Sequence, residues 1–123
     1  MGAALDSGKD EPRSQKAAGI AMMVVLTTLP TYMSAESLAS KILDAKLAAC
    51  CSILRMERSM YRWKGKVRRE TELLLMIKAR KSTYPKLEAF IKKNHPHKCP
   101  EIIALAASKV SKDYKKWLYS ETR

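Results

Sequence analysis

Residues 67–79 read VRRETELLLMIKA, a polar half running into an apolar half. Its core, Leu73–Ile77, holds five apolar residues in a row. A short continuous apolar run of this kind suits a strand buried on both faces. In a chain of 123 residues, helices can cover only one face of such a strand. The other face then needs a cover, and another subunit is the obvious one.

Working outward, Lys64-Gly65 is a two-residue hairpin turn, because glycine tolerates the positive φ that such turns require. Before it, Cys50–Leu54 and Met60–Trp63 read as strand, and the polar Arg55–Ser59 between them is expected to bend or bulge. After it, Val67–Ala79 returns as a long strand. Ser82 or Thr83 can cap a helix with Pro85 in its first turn and Leu87, Phe90 and Ile91 on its inner face. Asn94 closes it, and His95-Pro96 prevents continuation. Glu101–Ala107 reads as a further strand. Ser111 can cap a last short helix carrying Tyr114, Trp117 and Leu118. At the front, Ile20–Thr28 (IAMMVVLTT) is an apolar run of strand length, ended by Pro30. Ser34 can cap a helix over Ala35–Leu47. There Leu38, Ile42, Ala45 and Ala49 recur at helical spacing.

The order is β-α-β-β-α-β followed by a short helix. This is an α+β, ferredoxin-like sandwich with both long helices on one face. Residues 1–19, rich in Gly, Ala, Ser and mixed charge, are expected to form a flexible tail. Residues 20–123 form a single domain, as the length predicts.

The composition narrows the function. The chain is 46% hydrophobic, enough to build a core. No apolar run approaches the ~18–20 residues that cross a bilayer. Asp6, Asp10 and Glu11 break any secretory pattern, so a cytoplasmic protein with no membrane span is expected. The three cysteines, Cys50, Cys51 and Cys99, are odd in number and lack Cys-x-x-Cys spacing, which argues against a disulfide framework or a structural zinc site. The net charge is +12, from 24 Lys+Arg and 12 Asp+Glu. Lys9, Arg13 and Lys16 cancel Asp6, Asp10 and Glu11, so the whole excess sits on the folded body. Seven basic residues fall between Arg55 and Arg69, against the single acid Glu57. A body this basic attracts polyanions at low salt. The chain contains no Gly-x-Ser-x-Gly, P-loop or Gly-x-Gly-x-x-Gly, and only four glycines, so no enzyme is expected.

Three segments resemble the CutA (divalent-cation tolerance) family. They are Ala45–Cys50 (AKLAAC), Ser59–Lys66 (SMYRWKGK) with the following Glu70-Thr71-Glu72 and Met76-Ile77-Lys78, and a C-terminal set. That set comprises His95-Pro96, Pro100-Glu101-Ile102-Ile103, Asp113-Tyr114 and Trp117-Leu118. The resemblance implies a ferredoxin-like subunit in a homotrimer, with the hairpin reaching onto a neighbour. It implies a binding and scaffolding role in tolerance to copper and other divalent cations, with Cu(II) or another divalent metal as cofactor. The interface residues are then Tyr61, Trp63, Leu73, Leu75, Ile77 and Trp117. The chain departs from the family where Thr27 replaces a copper-site Cys and Asn94 replaces the first of two His. It departs again where Lys64, Arg68 and Arg69 replace acidic residues of the hairpin.

Two small sites follow. His95, His97 and Cys99 lie within five residues and carry imidazole and thiolate groups that suit Cu or Zn. Lys78 and Glu101, placed by the resemblance near a cleft between subunits, form a candidate ligand-binding pair. The alternative to a metal-tolerance role is polyanion or RNA binding by the basic hairpin 55–69, where Tyr61 and Trp63 alternate with Arg62 and Lys64. An RNA-recognition module of this topology carries aromatics on its third strand, and Val67–Ala79 has none.

Overall fold

The computed structural model describes residues 21–123. The expected tail, 1–19, lies outside the described residues, as does Ile20. Four strands and three helices follow in the order anticipated: β1 Met22–Leu29, α1 Tyr32–Asp44, β2 Cys50–Trp63, β3 Lys66–Arg80, α2 Tyr84–Asn94, β4 Ile103–Ala107 and α3 Lys112–Ser120. The sheet is antiparallel throughout, with strand order β2-β3-β1-β4. That order interleaves two β-α-β units, which is why both long helices lie on one face. Among the described residues no helix is long and apolar enough to cross a membrane.

α1 begins three residues before its expected start. Thr31 is the N-cap, and its Oγ1 accepts from the Ser34 amide at 3.0 Å. Ser34 Oγ in turn accepts from the Thr31 amide at 3.2 Å. Ser34 is thus the third helical residue of a capping box rather than the cap. The helix ends at Asp44, earlier than Leu47, because Lys46 turns left-handed at φ 58°. The amides of Lys46 and Leu47 then close back on the Leu43 and Ile42 carbonyls at 2.9 and 3.2 Å. This closure satisfies carbonyls that the helix end would leave orphaned.

The β2–β3 hairpin turns through Lys64 (φ 50°) and Gly65 (φ 79°), both left-handed as a twist-compatible two-residue turn demands. The expected bend in 55–59 is a register shift between Met56 and Ser59 within one continuous strand.

The core lies between the sheet and the two long helices. Val25 and Leu29 of β1 join Leu73, Leu75, Ile77 and Ala79 of β3, under Ala35, Leu38 and Ile42 of α1 and Leu87 and Ile91 of α2. This corrects one expectation. Leu73, Leu75 and Ile77, expected at a subunit interface, are buried inside the single chain under the helices. Side chains alternate across a strand, so only every second residue of Leu73–Ile77 can face the helices. The residues turned the other way are Leu74 and Met76.

α3 is anchored separately. Leu118 is buried. Arg80, the last residue of β3, donates from Nε to Thr122 Oγ1 at 2.8 Å and from Nη2 to the Tyr119 and Thr122 carbonyls at 2.7 and 3.0 Å. Its guanidinium also stacks 4.2 Å above the Tyr119 ring.

Candidate functional site

The loop after α2 holds the first candidate site. His95 is buried, and its Nε2 lies 2.8 Å from the Thr28 carbonyl oxygen. A carbonyl only accepts, so Nε2 carries the proton. Nδ1 is then the acceptor, and the His97 amide donates to it at 3.0 Å. Both ring nitrogens are therefore committed, in the neutral tautomer. Burial pushes the pKa of His95 below 6.5, and His97 adds to that, while the Thr28 bond opposes it. A metal would need the lone pair that the His97 amide already occupies. Cys99 is exposed, and the described residues contain no group of three or more His, Cys, Asp or Glu side chains placed to hold a metal ion. The predicted His95/His97/Cys99 set does not fit a metal in this chain. His95 instead pins the end of α2 to the end of β1. The Cys position of the family's copper site fares no better. Thr27 is fully buried on the helix side of β1, with an Oγ1 that has no hydrogen-bond partner among the described residues.

The second pair, Lys78 and Glu101, is not brought together within the chain. Lys78 lies opposite Val24 of β1 and Cys50 of β2. Its ammonium sits 3.4 Å from Ser52 Oγ and 3.7 Å from Cys50 Sγ. Glu101 stands two residues before Ile103, which pairs with Leu26. At ~3.3 Å per residue, that offsets the two by about 13 Å along the strands, with β1 lying between them. Tyr114 of α3 reaches Cys50, and burial and that thiol raise its pKa. Lys78, Ser52, Cys50 and Tyr114 thus form a polar cluster that the sequence did not single out. Cys51, one residue on, faces the helices, and burial and the Cys50 thiol push it up to about 12 against the pull of Lys78.

Around that cluster the open face of the sheet is apolar. Val24, Leu26, Leu54, Leu74, Met76, Ile103 and Leu105 share it by register. Leu54, Ile103 and Leu105 are 42%, 47% and 51% exposed, so among the described residues nothing covers these positions as the two long helices cover the other face.

The hairpin extends that face into solvent, and every residue from Met60 to Thr71 is exposed. The register shift changes which side of β2 faces which way. Before it, Leu54 pairs with Leu74 on the open side; after it, Tyr61 pairs with Arg68 and Trp63 with Lys66, still on the open side. The expected separation of aromatics from cations therefore holds along β2 only. Across the ladder, Tyr61 and Trp63 each have a basic neighbour on their own side. Tyr61 also hydrogen-bonds Glu70, which raises its pKa. Toward the sheet, Glu72 is raised as well, first by burial and then by Glu70 and Glu101, while a Thr28 hydrogen bond and His97 oppose the rise.

The comparisons with known proteins converge. The family model described as CutA1 divalent ion tolerance protein matches residues 23–121. The divalent-cation tolerance protein CutA of Thermus thermophilus is 38% identical over 99 residues, 80% of this chain and 96% of that protein. The crystal structure of CutA1 from Oryza sativa superposes with a TM-score of 0.81 at 38% identity, covering 85% of this chain and 95% of that one. The Archaeoglobus fulgidus CutA, described as a periplasmic divalent cation tolerance protein, gives 0.79 at 27% identity, covering 81% and 97%.

Proposed function

The chain belongs to the CutA1 divalent ion tolerance family, and we propose on that footing that it works as a homotrimeric binding and scaffolding module in divalent-cation tolerance. The observation that carries this reading is the uncovered apolar face of the sheet. Leu54, Ile103 and Leu105 stand exposed beside Leu26, Leu74 and Met76. A contiguous exposed apolar face of this kind marks an interaction surface, and a self-complementary patch on identical chains favours closed symmetric assembly. Tyr61, Trp63 and Trp117, all exposed in the single chain, extend the interface. Three copies are what the family resemblance implies.

Assembly also gives Lys78 a role. Its ammonium has no carboxylate partner among the described residues, and it lies on the face that the trimer buries. A buried charge needs a counter-charge. Glu101 of a neighbouring copy, or a small anionic ligand in the cleft, supplies it. In this reading copper(II) or another divalent cation is held by side chains of more than one copy, because the loop of a single chain offers no ligand set. We place the protein in the cytoplasm, where the free thiols Cys50, Cys51 and Cys99 stay reduced.

Light scattering on size-separated protein tests the assembly. The expected mass is three times the 13.9 kDa of one chain. Leu54→Glu with Leu105→Glu, which puts charge onto the exposed face without touching the helix-side core, is expected to give monomer. A wild-type monomer would overturn the reading. Calorimetric titration with copper(II) then compares the two proteins. Saturable binding present in the trimer and lost in the monomeric variant supports a shared site, and equal binding by both refutes it.

A further inference from the structure

The seven cations of 55–69 are not one undivided patch. The ladder sorts five of them, Arg58 lying in the register shift and Lys64 in the turn. Lys66 and Arg68 lie on the open side, paired with Trp63 and Tyr61, and Glu70 and Glu72 share that side of β3. Arg69 and Arg62 lie on the opposite side, paired with Met60 and Val67. Arg55, paired with Leu73, has the same orientation where the arm joins the body. The ladder-paired cations of this back side are all arginines, all exposed, and none makes an ion pair with a described residue. Arg62 and Arg69 are diagonal neighbours across the ladder, roughly 7–8 Å apart at the backbone. Arg55 follows about 13 Å further along, four residues from Arg69 in register.

From this sorting we infer that the back of the hairpin arm is a binding surface for the phosphate backbone of duplex nucleic acid. Three features choose that occupant. Arginine presents a planar fork of donors that matches a phosphate bidentately, which lysine does not. A two-stranded β-ribbon is narrow enough to enter the major groove. The rings that would stack on unpaired bases, Tyr61 and Trp63, are on the other side of the ribbon, so the arginine row contacts phosphates without a stacking platform. The binding is therefore independent of sequence. It is also compatible with assembly, since the back of the arm faces away from the side that the proposed trimer covers.

The test is fluorescence anisotropy with an end-labelled mixed-sequence duplex and the full chain, between about 50 and 200 mM salt. Wild type is expected to bind, with affinity falling log-linearly with salt. Arg62→Ala with Arg69→Ala is expected to weaken binding and to lower the salt slope by about one per arginine removed. Lys66→Ala with Arg68→Ala removes as many charges from the other side and is expected to leave the slope unchanged. Equal losses in the two double variants would mean generic charge only and would overturn the assignment. So would absence of binding at the lowest salt, or tighter binding to a single strand or to anionic phospholipid vesicles than to the duplex. All four side chains are exposed, and light scattering on each variant should return the wild-type mass. A change in mass with unchanged duplex binding would bear on the assembly reading alone.

Discussion

The two faces of the sheet carry similar residues and do different work. Leu73, Leu75 and Ile77 are sealed under α1 and α2, while Leu74 and Met76, their immediate neighbours, line a face that the chain leaves open. Thr27 and Thr28 repeat the contrast. Thr27 is buried in the core without a partner, and Thr28 hydrogen-bonds Glu72 through its side chain and His95 through its carbonyl. Adjacent residues of the same type thus have different fates, decided by strand parity. One face supplies the stability of the single chain; the other is available for association.

The largest effect should come from breaking the closed face. Leu75→Ala is expected to cost about 2–5 kcal/mol in denaturant unfolding, as buried Leu truncations do. Met76→Ala should cost less, and its cost should depend on protein concentration, because a residue at an interface stabilises through assembly. Equal, concentration-independent losses would erase the distinction between the faces. A smaller effect of opposite sign is expected at Thr27. Thr27→Val removes a buried hydroxyl without a partner and should stabilise the protein by about 1 kcal/mol; destabilisation would show that Oγ1 is satisfied in solution. The subtlest effect is in pH. His95 has a folded pKa held below its ordinary 6.5. Between that lowered value and 6.5 the unfolded chain binds more protons than the folded one, so stability is fully present above 6.5 and is lost as pH falls through the folded value. His95→Gln should flatten this segment of the melting-temperature profile. A profile unchanged by the substitution would remove His95 as the cause.

Much of the fold was legible locally. The Lys64-Gly65 turn, the Ser111 cap, Pro85 in the first turn of α2 and the stop at Asn94 are each decided by the chemistry of one or two residues, and the structure has all of them. α1 was less legible because Thr31 and Ser34 are both good caps. Only the mutual hydrogen bonds of the capping box decide which of them leads. The sites were least legible. His95, His97 and Cys99 are close in sequence and chemically apt, yet Thr28, 67 positions away, claims one ring nitrogen. No local pattern announces that contact. The polar cluster at Lys78 was equally hidden, since Cys50 and Ser52 meet it only through the β2–β3 ladder. The open face was readable in principle by taking every second residue of Leu73–Ile77.

The amino-acid sequence alone settled the family, the α+β class, the element order and the concentration of charge on the hairpin, because these depend on local propensity, periodicity and composition. Tertiary structure decided which side of each strand is buried, what holds each ring nitrogen of His95 and which cations share a face. Those outcomes depend on the pairing of distant strands and on a one-residue register shift between Met56 and Ser59, whose consequences reach every β2 side chain beyond it.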